Sequence, residues 1–326
     1  MMKAATKTTL GLTLALGALL GVGQQAHADN ALEQVFSARS LGMGASLRGA
    51  ATGSAGPLNP AGVALVKAYA LEGSYGYRPD DGETQVNASV ADSTARVAMA
   101  LYYSYMTATR DYILGDGATI RTGEIDRVRH EVGAATSFPL SDRFALGTTL
   151  KYTSFEANLT DPADGSRSNV SSQGRVNLDI GGVVALAPRL TLGLVGYNLL
   201  AHDGEYPRAF GGGLALGLGD TAMMTLDGVV DLTSTSDLSA PGDDRRVKVS
   251  GGAEVVLANM YPVRAGVIWG SYADDVYVTG GLGYQSPRVG LDVAIRQKVE
   301  GGSETVGLVA LKFYLPTDQT TVPSEM

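Results

Sequence analysis

The chain has 326 residues, no cysteine and a formal net charge of −8. An acidic balance argues against nucleic acid as a partner, and the missing cysteines fit an exported protein that does not use disulfides. The composition is 44% hydrophobic, with 43 glycines and 15 tyrosines, yet after the N-terminus no segment offers the roughly 18 continuous apolar residues of a membrane-spanning helix.

Residues 1–28 read as a signal peptide. Lys3 and Lys7 supply the positive start, Leu10 to Val22 the apolar run, and Ala26-His27-Ala28 the cleavage site. Cleavage leaves 23 of the 25 basic residues against 33 acidic ones, a net charge of −10. Residues 29–66 follow, small-residue rich and broken by Pro57 and Pro60. They do not alternate like strands.

From residue 67 onward the chain alternates with period 2, the mark of strands with two different faces. Tyr69, Leu71, Tyr75 and Tyr77 oppose Glu72, Ser74 and Arg78. Val128, Val132, Ala134 and Phe138 oppose Arg127, Arg129 and Glu131; Leu146, Leu150 and Tyr152 oppose Lys151; Val176, Leu178 and Ile180 oppose Arg175 and Asp179. The pattern continues through Val249 and Val255 against Lys248 and Glu254, and through Leu291, Val293 and Ile295 against Asp292 and Arg296. It predicts fourteen strands, about 67–78, 84–91, 95–106, 126–138, 143–157, 173–187, 190–199, 208–219, 221–233, 245–258, 261–270, 276–286, 288–299 and 304–315. Most reach the roughly 9–11 residues that a tilted strand needs to cross a bilayer.

Tight connections alternate with longer acidic ones at 107–125, 158–172, 200–207, 234–244 and 271–275. That rhythm belongs to outer-membrane barrels. Aromatics fall at strand ends, with Tyr75, Tyr77, Tyr103, Tyr105, Tyr152 and Trp269 near one rim. Tyr69, Phe138, Phe144, Tyr284 and Phe313 lie near the other. The expected fold is all-β: a fourteen-stranded antiparallel transmembrane β-barrel over 67–315, in the outer membrane of a Gram-negative bacterium. A polar tail, 316–326, follows. Such a barrel is too wide for its own side chains to fill, so residues 29–66 are expected to form a short N-terminal plug. Arg39 and Arg48 would meet luminal carboxylates such as Glu72, Asp179 or Asp227, and Asn59 would anchor beside Pro60.

The stretch Ala38-Arg39-Ser40-Leu41-Gly42-Met43-Gly44-Ala45, followed by Asn59-Pro60-Ala61-Gly62, resembles the N-terminal motif of FadL-type and PorV-type outer-membrane proteins. Residues 190–199 with Tyr206-Pro207-Arg208, Tyr261–Gly266 and Gly281–Tyr284 extend the resemblance. It implies a fourteen-stranded barrel with an N-terminal hatch, built around Arg39, Gly42, Met43, Gly44, Arg48, Asn59, Pro60 and Ala61. The chain departs from the family pattern where Gly44 stands alone before Ala45. It also lacks long apolar outer loops.

No catalytic constellation is evident. His130 points outward with Val128 and Val132 on its own strand, so no serine is expected beside it, and His202-Asp203 falls in a loop. No cofactor and no metal site is expected; Asp161, Asp164, Asp243 and Asp244 read as solvated loop acids. Inward-facing Arg127, Arg129, Glu131, Lys151, Arg175 and Asp179 form either a mutually neutralising network or a luminal binding wall. Compact loops favour an outer-membrane anchor or scaffold subunit of a secretion- or motility-type envelope machine, PorV-like. The alternative is a FadL-like transporter or channel for small hydrophobic or amphipathic molecules. Expected partners are outer-membrane lipid and lipopolysaccharide, other envelope proteins or a hydrophobic small molecule.

Overall fold

The computed structural model describes residues 37–50, 58–115, 120–161, 165–200, 206–232, 246–271, 275–300 and 304–315. Residues 1–36, 51–57 and 316–326, which include the expected signal peptide and polar tail, lie outside them. So do Asp164, His202, Asp203, Asp243 and Asp244. A short helix α1 (Ala38–Gly42) and a 3-10 helix (Pro60–Leu65) precede the strands. The fourteen strands are β1 (Tyr69–Arg78), β2 (Glu83–Asp92), β3 (Ala98–Gly115), β4 (Ile120–Ser141), β5 (Phe144–Thr160), β6 (Arg167–Ala187), β7 (Leu190–Tyr197), β8 (Ala209–Gly217), β9 (Ala222–Asp231), β10 (Val247–Leu257), β11 (Tyr261–Gly270), β12 (Asp275–Gln285), β13 (Val289–Glu300) and β14 (Thr305–Leu315).

Every strand pairs antiparallel with its sequence neighbours, and β1 closes on β14 from Tyr69↔Leu315 to Tyr77↔Gly307. Closure removes the sheet edges that would otherwise leave backbone groups unpaired in lipid. The fourteen-strand antiparallel barrel expected from the alternation is therefore the fold observed. Its two faces follow chemistry. Outward Leu101, Leu150, Val176, Leu226 and Leu282 are more than half exposed, whereas inward Glu131, Asp179, Asp227 and Arg264 are buried. The rim aromatics Tyr75, Tyr152, Trp269, Phe138 and Phe313 also point out.

The segments 107–125 and 158–172, expected as loops, are instead mostly strand. β3 and β4 run on as a hairpin to Gly115↔Ile120, and β5 and β6 to Thr160↔Arg167. Antiparallel pairing satisfies the backbone without a membrane or a core, so polar composition did not end these strands. The wall is consequently uneven. β6 meets β7 only over Ile180–Ala187, while its earlier residues pair with β5 alone.

Candidate functional site

Residues 37–50 and 58–66 line the inside of the wall as a hoop, touching one sector after another. Ser37 caps α1, its hydroxyl accepting from the Ser40 amide at 3.2 Å. Ala38 and Leu41 pack on Ala294 of β13 and Leu308 and Ala310 of β14. The Arg39 guanidinium donates from Nε and Nη2 to Glu254 of β10, at 3.1 and 2.8 Å. Arg264 of β11 donates to the same carboxylate and to Asp292 of β13, both at 2.5 Å. Lys312 of β14 lies 3.7 Å from Asp292 and 3.9 Å from Glu72 of β1. Charge thus alternates in an unbroken line from α1 across the wall. Glu254, and not one of the three acids named from the sequence, is the carboxylate to which the Arg39 guanidinium donates twice. α1 sits over β11–β13, which brings the Arg39 side chain to Glu254.

The hoop then turns at Gly44 and Ala45, both in the left-handed region at φ 66° and 56°. Here it presses against backbone. A Cβ on Gly266 of β11 would lie 2.6 Å from the Gly44 nitrogen, and one on Gly252 of β10 would strike Met43. Thr279 of β12 donates to the Gly42 carbonyl at 2.9 Å. Leu47 and Ala50 pack with Met43 on Ala215 of β8 and Met223 of β9.

Arg48 is the second fixed point. Its backbone N–H and Nη1 both donate to Asp227 Oδ2 of β9, at 2.9 and 3.1 Å, and its Nε donates to the Tyr197 hydroxyl of β7 at 2.9 Å. Burial alone would depress this guanidinium, but the neighbouring Tyr197 and Asp227 outweigh it and hold Arg48 above its ordinary range. The Arg48 carbonyl accepts from Asn59 Nδ2 at 2.9 Å, which brings the hoop back on itself.

Asn59 caps the 3-10 helix, its Oδ1 accepting from the Ala61 amide at 3.1 Å. Its Nδ2 also reaches the Gly182 carbonyl of β6 at 3.3 Å. A Cβ on Gly181 would collide with Asn59, and one on Gly147 of β5 with Pro60 and Ala61. Ala61, Val63 and Ala64 bury against Ala91, Ala98, Ala100, Ala135, Ala145 and Val183, closing the circuit near β2–β4. The plug-motif residues Arg39, Gly42, Met43, Gly44, Arg48, Asn59, Pro60 and Ala61 therefore all lie on the two described parts of the hoop, against the inside of the wall.

The luminal wall beyond the hoop is amphipathic. Arg129 and Glu131 are buried on the inward face of β4, with Arg127 half-buried beside them. Lys151 of β5 lies 2.7 Å from Asp179 of β6. The Tyr102 hydroxyl of β3 donates to Glu131 at 2.8 Å, and Arg175 donates to Gln173 at 2.7 Å. Register sets Arg129 beside Phe155 and Arg127 beside Ala157. Tyr206, from the β7–β8 connection, packs on those two apolar residues. Tyr102, Phe155, Tyr197, Tyr206 and Arg264 were not among the sequence candidates. Parity marks four of them as inward, but only the register says what they face.

Register also corrects the expectation at His130. Ser154 of β5 stands directly opposite it on the outer face, because neighbours across a sheet are invisible in one strand's own sequence. Among the described residues no group of three or more His, Asp or Glu is placed to hold a metal ion.

No protein-family profile and no curated protein matches the chain. Solved structures do. The CymD monoaromatic hydrocarbon channel superposes with a TM-score of 0.64 at 14% identity, covering 85% of this chain and 97% of that one. The toluene transporter TbuX of Ralstonia pickettii gives a TM-score of 0.62 at 14% identity, covering 86% and 98%. A FadL homologue from Pseudomonas aeruginosa gives 0.64 at 12% identity, again covering 86% and 98%. The fold is FadL-type. The expected role as a PorV-like anchor or scaffold of a secretion or motility machine is overturned by these matches. Two of these proteins, which share the fold along nearly their whole length, are named as a monoaromatic hydrocarbon channel and a toluene transporter.

Proposed function

We propose that this chain is a FadL-type channel for small hydrophobic or amphipathic molecules in the outer membrane of a Gram-negative bacterium. On this reading, residues 1–28 are the signal peptide, 29–66 the plug, 67–315 the barrel and 316–326 a tail; the protein conducts solute and performs no catalysis. The observation that carries it is the hoop docked around the inside of a barrel too wide to be filled by its own side chains. The named activities of the proteins that share the fold support it. Arg127 and Arg129, opposite Ala157 and Phe155, with Arg175 and Lys151 farther along the same inward face, would hold the polar end of an amphipathic solute while the apolar patch holds its body.

The test is reconstitution of the intact chain and of a variant lacking Ser40–Ala61. In planar bilayers the deletion variant is expected to conduct ions far better than the intact protein, and in liposomes the intact protein should speed toluene entry. Equal conductance of the two forms, with no effect on toluene entry, would overturn the reading.

A further inference from the structure

The apolar patch on β5 is covered by a side chain from elsewhere in the chain. Tyr206, in the connection between β7 and β8, packs on Phe155 and Ala157, and all three are buried. The other buried aromatics among the described residues, Tyr102, Phe155, Tyr197, Tyr277 and Tyr314, sit in strands. Tyr206 does not, so its ring can swing about its side-chain torsions while every ladder stays intact. Its backbone is pinned close by. Asn198, in the left-handed region at φ 54°, donates from its N–H to Asp179 Oδ1 and from Nδ2 to the Pro207 carbonyl, both at 2.8 Å. Arg208 Nη2 reaches the Leu199 carbonyl at 3.4 Å. The ring is thus tethered over the patch by a backbone held to the wall.

The rim of the patch is cationic. Register sets Arg129 and Gln173 on either side of Phe155, and Arg127 and Ser171 on either side of Ala157. Arg175 donates to Gln173 at 2.7 Å. Among the described residues the inward face of β3–β8 carries Arg127, Arg129, Lys151 and Arg175 against Glu131 and Asp179. Both acids are engaged, Asp179 by Lys151 and the Asn198 N–H, and Glu131 by the Tyr102 hydroxyl. Glu124, Asp126 and Glu156 belong to the outer face.

We propose that Tyr206 is a tethered occupant of a ring subsite whose solute is a single-ring aromatic carboxylate. The solute ring replaces the Tyr206 ring on Phe155 and Ala157, so apolar contact is exchanged and not lost. Its carboxylate then accepts charge-assisted hydrogen bonds from Arg127 or Arg129, which a neutral phenol matches only weakly. That difference drives the exchange, because a ligand shifts an equilibrium only by its differential interaction with the two states. The proposal rests on the channel reading given above and narrows its solute.

Benzoate is the probe, titrated by calorimetry into the intact chain, Tyr206→Phe and Tyr206→Ala, each first checked as a heat-modifiable barrel. A covered site binds with an affinity reduced by the fraction of time it is open, so Tyr206→Ala should bind benzoate roughly tenfold more tightly than the intact chain. Tyr206→Phe keeps the ring and should bind like the intact chain. Benzylamine, the same ring carrying a cation, should bind to none of them. In the intact chain labelled at tyrosine, saturating benzoate should move the Tyr206 ring resonances toward those of an exposed tyrosine, a readout that needs no variant. Unchanged or weaker binding by a folded Tyr206→Ala, equal binding of benzylamine, or unmoved Tyr206 resonances would each overturn the tethered occupant. Toluene entry into liposomes carrying the intact chain separates the two readings. If entry persists, the channel stands without this subsite; if it is absent too, the channel reading falls with it.

Discussion

From Ser37 to Ala50 the inner hoop is held largely by charge, and from Asn59 to Val66 largely by shape. The first half places Arg39 on Glu254 and Arg48 on Asp227, each pair almost fully buried. The second half buries no charged side chain; it sets Asn59, Pro60 and Ala61 against wall positions where only glycine fits, then sinks Ala61, Val63 and Ala64 among alanines. Both halves are immobilised on the same wall, but they should fail in different ways. Buried ions are intolerant of losing a partner. Close-packed backbone is intolerant of gaining an atom.

The sharpest test of the charged half is Glu254→Ala. It would leave Arg39 and Arg264 facing each other, buried, without the carboxylate between them. Breaking a buried pair from one side costs about 3–5 kcal/mol, which urea unfolding in lipid vesicles should register. A loss no larger than that of a surface substitution would show that water, and not protein, surrounds these groups.

For the shaped half, the informative change is Gly147→Ala on β5. Its Cβ would collide with the Ala61 nitrogen, and overpacking costs about 1–3 kcal/mol. Gly228→Ala on β9, with nothing within 4 Å of the added carbon, is the matched control and should be near neutral. If the two variants unfold alike, the hoop does not touch the wall at β5.

The smallest effect belongs to Asn59→Ala. It removes the 3-10 cap and the link to the Arg48 carbonyl, a loss of about 1 kcal/mol. The same unfolding midpoint measures it. A loss matching that of Glu254→Ala would merge the two halves into one cooperative unit and remove the distinction drawn between them.

Strand existence and facing were legible in the sequence because both are local. Alternation of Leu146, Leu150 and Tyr152 with Lys151 needs only the two-residue repeat of an extended chain, and the observed burial follows it residue by residue. The hoop segment was legible for the complementary reason, since a small-residue stretch that fails to alternate cannot join the wall. Strand ends at Gly115, Ile120, Thr160 and Arg167 were not legible, because pairing with a neighbour, and not composition, decides where an antiparallel hairpin stops.

Contacts between elements lay beyond the sequence altogether. That Arg39 takes Glu254, 215 positions away, depends on where α1 rests along the circumference. That Ser154 faces His130 depends on the β4–β5 register, which a shift of one residue would turn to the other side of the wall. The sequence by itself determined a closed barrel of two-faced strands with a non-strand segment to place inside it, because periodicity and span length are properties of the chain. Only the tertiary structure decided which charges meet and where backbone touches backbone, because those depend on strand register and on the path the hoop takes around the lumen.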